Sequence, residues 1–302
     1  MNKPSTLQKR VLRAITEEAM AARKLLAHTE SDTGRRMDGA RSPAHHRQVL
    51  KIRELEAAAV AGGVPREWID QTRYRGELGM TWRADLHWRE HAPIDRPQLL
   101  TNLGNEVRQV REIAAVAAAY GQRGALAEAG TSQLFARNFD TQVRRVAAIA
   151  HILNLSADET EHLWGRESHW AAEANRVREM SAAALKDRWR TVARADTRSA
   201  AVLVSALTDA GIGAEMAGNP APSAAHMVQR IWQQLREPTS PAVVTGSSPG
   251  DLRAEFSAVE GNQIAESVDA AGLGGNLRPV FRSPADPDPS PPTGVGLGGL
   301  EP

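Results

Sequence analysis

The sequence predicts an all-α protein, a multi-helix bundle with a long disordered C-terminal tail, and three observations carry that reading. Over residues 95–194 the apolar residues step by three and four, as one face of a helix requires. Leu100, Leu103, Val107, Val110, Ala114 and Ala117 form one stripe, and Phe139, Val143, Val146, Ala150 and Leu153 a second. Trp170, Ala174, Val177, Ala184, Arg188 and Val192 form a rougher third. Such stripes must bury against one another, which makes a bundle. The second observation is that helix start and stop residues bracket these stretches. The third is a change beyond Glu237 to Pro, Gly, Ser and Asp, a mixture that cannot bury enough apolar surface to offset its ordering entropy.

From the N-terminus, Ser5 and Gln8 make a capping box for a helix to about His28, with Leu7, Val11, Ile15, Ala19, Ala22 and Leu26 on its apolar face. Residues 29–41, with Gly34, Gly39 and mixed charge, are expected to form a loop. Ser42-Pro43 starts a second helix, which turns Val49, Ile52, Leu55 and Ala59 inward and stops at Gly62-Gly63. Val64-Pro65 restarts a short helix to about Tyr74, and the tryptophan-rich residues 80–97 are expected to be irregular. Asp95 and Pro97 open the central helix, which ends near Tyr120-Gly121. The next helix spans about 131–154, and Ser156 with Glu159 caps a short one holding Leu163 and Trp164. One long helix is expected after Gly165 to about Arg194, then one over 197–210 capped by Asp196. The last opens at Ser223 and carries Met227, Val228, Ile231, Trp232 and Leu235.

The chain thus divides into an N-terminal helical region over 1–94, a central bundle over 95–236 and a tail over 237–302. Within the tail, Leu252, Phe256 and Val259 keep helical spacing, as a recruitment segment for a protein partner would; the plain alternative is a transient helix with no partner. A self-associating bundle with such a tail would serve as a scaffold.

Among the 302 residues there is no cysteine, which excludes disulfides, thiolate catalysis and cysteine-bound zinc. No apolar run reaches the length of a membrane-spanning helix, and no apolar signal core follows the first residues, so no membrane partner and a cytoplasmic location are expected. Lysine occurs only at 3, 9, 24, 51 and 186, which leaves arginine to supply nearly all of the positive charge. This is the bias of a GC-rich genome and a warning against assigning each arginine a chemical task. The net charge of +1 hides an asymmetry: residues 1–53 hold twelve Lys or Arg against five acids, and residues 237–302 hold three against nine. A basic head and an acidic tail of this kind can favour nucleic acid at one end, or each other.

Two motifs carry chemistry. Over 55–74, Ala59, Gly63, Val64 and Ile69 fill the small, glycine and apolar places of a helix-turn-helix. Its second helix would present Arg66, Gln71 and Arg73 to base edges and phosphates, with Arg75, Lys51 and Arg53 completing the basic set. Thr72 stands where an apolar contact is expected, and Glu67 and Asp70 would face phosphate. The plain alternative is a structural corner between two helices. The second motif is His87-Trp-Arg-Glu90-His91, which fits H-x-x-E-H and resembles, at these five residues, the metal site of pitrilysin-like proteases. It would make His87 and His91 zinc ligands and Glu90 the group that positions water, provided all three share a helical turn. Ala92-Pro93 follow at once and leave little helix to present them, and the plain alternative is a wet loop. His162 and His169 flank a helix break without metal-ligand spacing, and neither a phosphate loop nor a serine elbow is present. No cofactor is expected.

The run Val64-Pro-Arg-Glu-Trp-Ile-Asp-Gln, together with Leu163-Trp164, Arg188-Trp189-Arg190 and Ala195-Asp196-Thr197-Arg198, resembles uncharacterised helical proteins of actinobacterial plasmids and prophages. The likeness covers about 55–212 and carries no catalytic motif. It implies a mobile-element setting and an accessory, non-enzymatic role. Three expectations follow: a DNA-associated accessory protein, a helical scaffold, and a zinc hydrolase.

Overall fold

A computed structural model describes residues 3–33, 43–123, 130–213 and 221–236, the side chains of 29–33 excepted. The tail expected to be disordered over 237–302 lies outside the described residues. Among those described there is no strand, and the protein is all-α.

Three helices build the N-terminal region: α1 (Thr6–Thr33), α2 (Pro43–Ala61) and α3 (Arg66–Glu77), with α1 packed on both others. The Ser5–Gln8 capping box forms in both directions. Helix α1 runs five residues past the expected end near His28, because the first residue able to break it is Gly34. Val11, Ile15, Ala19 and Ala22 are buried as their spacing requires, while Leu26 stays exposed. An irregular, tryptophan-bearing segment over 78–95 then leads to the bundle.

The bundle is organised on α4 (Arg96–Gln122), which touches α5 (Thr131–Leu153) and, further on, α7 (Glu167–Glu179), α8 (Ala182–Ala193) and α10 (Ala224–Arg236). Asp95 caps α4 by accepting from the Gln98 N–H at 2.9 Å. Every residue from Ile113 to Tyr120 is buried, so this half of α4 is covered on all sides. Between α5 and α7, the short α6 (Ala157–Thr160) runs into a π-helical turn (Glu161–Gly165). Its capping box, Ser156 with Glu159, is complete. The remaining helix, α9 (Arg198–Asp209), packs against α2 and α5 and joins the two regions. One apolar core runs through both, from Val11 and Leu12 to Ile231 and Leu235.

The expected single helix from 166 to 194 is instead two. Met180 is extended at φ −70°, ψ 134°, and the Ser181 side chain caps α8 by accepting from the Ala184 N–H. The break shifts the register, so Ala184 and Arg188 face solvent and Leu185, Trp189, Val192 and Ala193 turn inward. Trp189 stacks on Phe135 at 3.9 Å and on Tyr120 at 4.3 Å between ring centroids, locking α8 to α5 and α4.

Arginines close the helix ends. The last carbonyls of a helix lack intrahelical donors and carry partial negative charge, which a guanidinium satisfies on both counts. Arg96 donates to the Leu153 and Asn154 carbonyls at the end of α5. Arg123 donates to Val177, Arg178 and Met180 at the end of α7. Arg178 caps α10 through the Gln234 carbonyl, Arg10 reaches Gly211 after α9, and Arg230 takes Trp164 and Gly165 at the π-helical turn. The arginine bias of the sequence thus supplies internal staples between helices.

Candidate functional site

The corner between α2 and α3 forms where the sequence places it. Gly63 adopts φ +75°, a left-handed conformation that closes α2, and Val64 N–H returns to the Ala59 carbonyl at 2.9 Å. Ala59, Val64 and Ile69 are buried. Thr72, at the place of an expected apolar contact, is fully buried and satisfied: its hydroxyl donates to the Trp68 and Ile69 carbonyls. The turn itself packs on the bundle, since a Cβ on Gly62 would lie 2.3 Å from Ile152 Cγ2.

The three side chains expected to reach outward together do not. Arg66 and Arg73, two turns apart, share one face of α3, and both meet the buried Glu56 of α2, at 3.7 and 3.4 Å. Asp70 bridges them at 3.3 and 3.5 Å, and Glu77 adds a contact to Arg73. Burial pushes the Glu56 carboxyl up, and Arg73 and Arg66 pull it back. Gln71 lies elsewhere on the helix, clamped to main chain: its amide donates to the His87 carbonyl at 2.8 Å and accepts from the Arg89 N–H. Arg75 is half-buried and helps Arg83, whose hydrogen bond is the larger cause, hold Asp85 below its ordinary value. The physical reason is periodicity: five residues of helix separate Gln71 from Arg66 by well over a right angle.

The remaining basic candidates belong to the α1–α2 hairpin. Lys51 bridges α2 to Glu18 of α1 at 3.5 Å and to Asp209 of α9 at 3.8 Å. Arg53 is exposed and, with Arg23, flanks a 390 Å³ groove floored by Ala22, Val49 and Ile52. Arg23 lies over Gly79, and Lys24 and Arg47 are exposed near the same end of the hairpin. Sequence reasoning passed over Arg23, Lys24 and Arg47, which carry no motif; the charge excess of residues 1–53 was their signal.

His87, Glu90 and His91 sit on irregular, non-helical chain, where an i, i+4 pair does not share a helical turn. His91 packs edge-on to Trp68 at 4.9 Å and its Nδ1 bonds the Ala92 carbonyl, while Trp88 is buried against Trp68. Trp68 Nε1 donates to the Arg89 carbonyl, so this segment serves as a cover for α3. Among the described residues no group of three His, Asp or Glu is placed to hold a metal ion. His162 and His169, apart in sequence, come together across the helix break with ring centroids 6.3 Å apart.

Compared with protein-family models, with curated proteins and with solved structures, the chain matches none. Among the described residues no helix is long and apolar enough to cross a membrane.

Proposed function

We propose that this protein is a non-enzymatic accessory protein of a mobile genetic element that associates with DNA by phosphate contacts from its basic N-terminal region. One observation carries the reading: of the basic residues concentrated in residues 1–53, Arg23, Lys24, Arg47 and Arg53 are exposed on the α1–α2 hairpin. Arg66 and Arg73 of α3 are engaged with Glu56 and Asp70, which argues for attraction to the DNA backbone over reading of bases by that helix. The mobile-element setting rests on the resemblance noted in the sequence and on its arginine bias. Gel-shift titration of the full chain on unrelated duplexes, at low and moderate salt, tests the reading. Binding should be indifferent to sequence and fall steeply with salt, and Arg23→Glu with Arg47→Glu should weaken every duplex alike. No shift at low salt overturns it, and a preference for one duplex lost on Arg73→Ala would return the contact to α3.

A second reading, a helical scaffold, draws on the exposed Leu26 of α1 and on Tyr74, Leu78 and Met80 at the end of α3. Light scattering tests it: a strictly monomeric chain that recruits no partner through 237–302 excludes the scaffold.

A further inference from the structure

Away from the hairpin, a cleft of 690 Å³ opens between α4, the π-helical turn and α7. Its volume is that of a small-molecule site, typically about 300–1,000 Å³. Arg111 of α4 lines it and is only 7% exposed. The guanidinium lies 5.7 Å over the Trp170 ring and has one long contact, 3.5 Å, to the Leu163 carbonyl. Among the described residues its Nε has no partner and no carboxylate forms an ion pair with it. A cation buried without a counter-ion is costly, and burial pulls the Arg111 guanidinium below the ordinary arginine value, with Glu173 acting the other way.

The neighbours add to the imbalance. Arg108, one turn earlier and exposed, is bonded among the described residues only to the neutral Asn105, at 2.7 Å. His162 of the π-helical turn and His169 of α7 face the same space, and His169 Nδ1 is buried without a partner among the described residues. The acids of the cleft are mostly committed: Glu173 to Arg176 at 2.6 Å and Glu159 to Arg96 at 2.6 Å, which leaves Asp158 at the rim. Two guanidinium groups and two imidazoles therefore converge, from three elements, on a space holding one uncommitted carboxylate. Leu100, Leu163 and Ala172 give it an apolar wall, and the absence of a side chain at Gly104 keeps it open.

We propose that this cleft binds a small organic phosphate, its phosphate held by Arg108, Arg111 and the two histidines and its organic part against Leu100, Leu163 and Ala172. A tetrahedral oxyanion offers three terminal oxygens to donors arriving from separate directions, where a carboxylate offers two in one plane. The volume exceeds that of an inorganic anion, which gives the apolar wall its use.

Calorimetric titration of the full chain at low ionic strength, with phenyl phosphate, benzoate and inorganic phosphate as probes, decides the matter. Phenyl phosphate should bind one to one and more tightly than the other two. Arg108→Ala, at an exposed position, should weaken it roughly tenfold, the loss of one charge-assisted contact. Gly104→Leu, which fills the mouth beside Leu163, should abolish binding while the thermal unfolding midpoint is kept. The proposal is overturned if phenyl phosphate does not saturate, if benzoate binds as well or inorganic phosphate as tightly, or if neither substitution alters binding. DNA association should be unaffected by Arg108→Ala, and phenyl phosphate binding by Arg23→Glu, so the two sites fail or stand separately.

Discussion

The α2–α3 corner and the α4–α7 cleft hold similar charges and put them to opposite use. At the corner, Arg66 and Arg73 fold onto a face that already contains Glu56 and Asp70, and their charge is cancelled within the molecule. In the cleft, Arg111 is more deeply buried than either, yet the acid that acts on it, Glu173, is paired with Arg176. The contrast teaches that closeness in sequence marks where a basic residue is, while the face an acid shares with it decides whether its charge is available.

Substitutions can break or sharpen that contrast. The largest effect is expected from Trp170→Ala, which removes a fully buried ring and the surface under Arg111 and Arg230. A loss of about 3–5 kcal/mol in urea unfolding is expected, and a loss below about 1 kcal/mol would mean that the packing beneath Arg111 is not rigid. The two regions also differ in their glycines. A Cβ on Gly76 would lie 2.4 Å from the Thr16 carbonyl oxygen, where α1 and α3 cross, so Gly76→Ala should cost about 1–3 kcal/mol. A Cβ on Gly104 meets only Leu163 Cδ2, at 3.6 Å, so Gly104→Ala should be neutral or stabilising by up to about 1 kcal/mol. Equal effects at both positions would erase the distinction between a closed crossing and an open mouth.

A smaller effect is expected at the edge of the cleft. The hydrogen bonds from Arg96, chiefly, and from Ser156 hold Glu159 at about 2, below its ordinary 4.5. Folding therefore favours the carboxylate, so its contribution is complete above pH 4.5 and disappears as the pH falls toward about 2. Glu159→Gln should flatten the acid limb of the stability profile in that window, as read by circular dichroism. The smallest effect belongs to Glu56→Gln: Arg66 and Arg73 are half-exposed, so stability should change by no more than about 1 kcal/mol. The same variant should raise affinity for any duplex slightly, through one added unit of charge near the hairpin.

Much of the fold was legible because it obeys local rules. The stripes of α1, α4 and α5, the caps at Ser5, Asp95 and Ser156, and the stop at Gly62-Gly63 each depend on residues within one or two turns. The break at Met180-Ser181 was missed because alanines on both sides favour helix and a rough stripe ran across it; the serine was the one signal. The candidate sites were less legible. Whether Arg66 and Gln71 point together depends on α2 and on the 78–95 segment, and the meeting of Arg108, Arg111, His162 and His169 depends on how α7 returns to α4. Such meetings leave no mark at short range.

The arginine caps have a further consequence for the conditions the protein withstands. A guanidinium keeps its proton at any pH at which a polypeptide is stable, whereas a lysine ammonium in the same place would lose its own in mild alkali. The joints at the ends of α5, α7 and α10 should therefore hold in alkaline solution, and base-induced loosening should begin elsewhere in the chain.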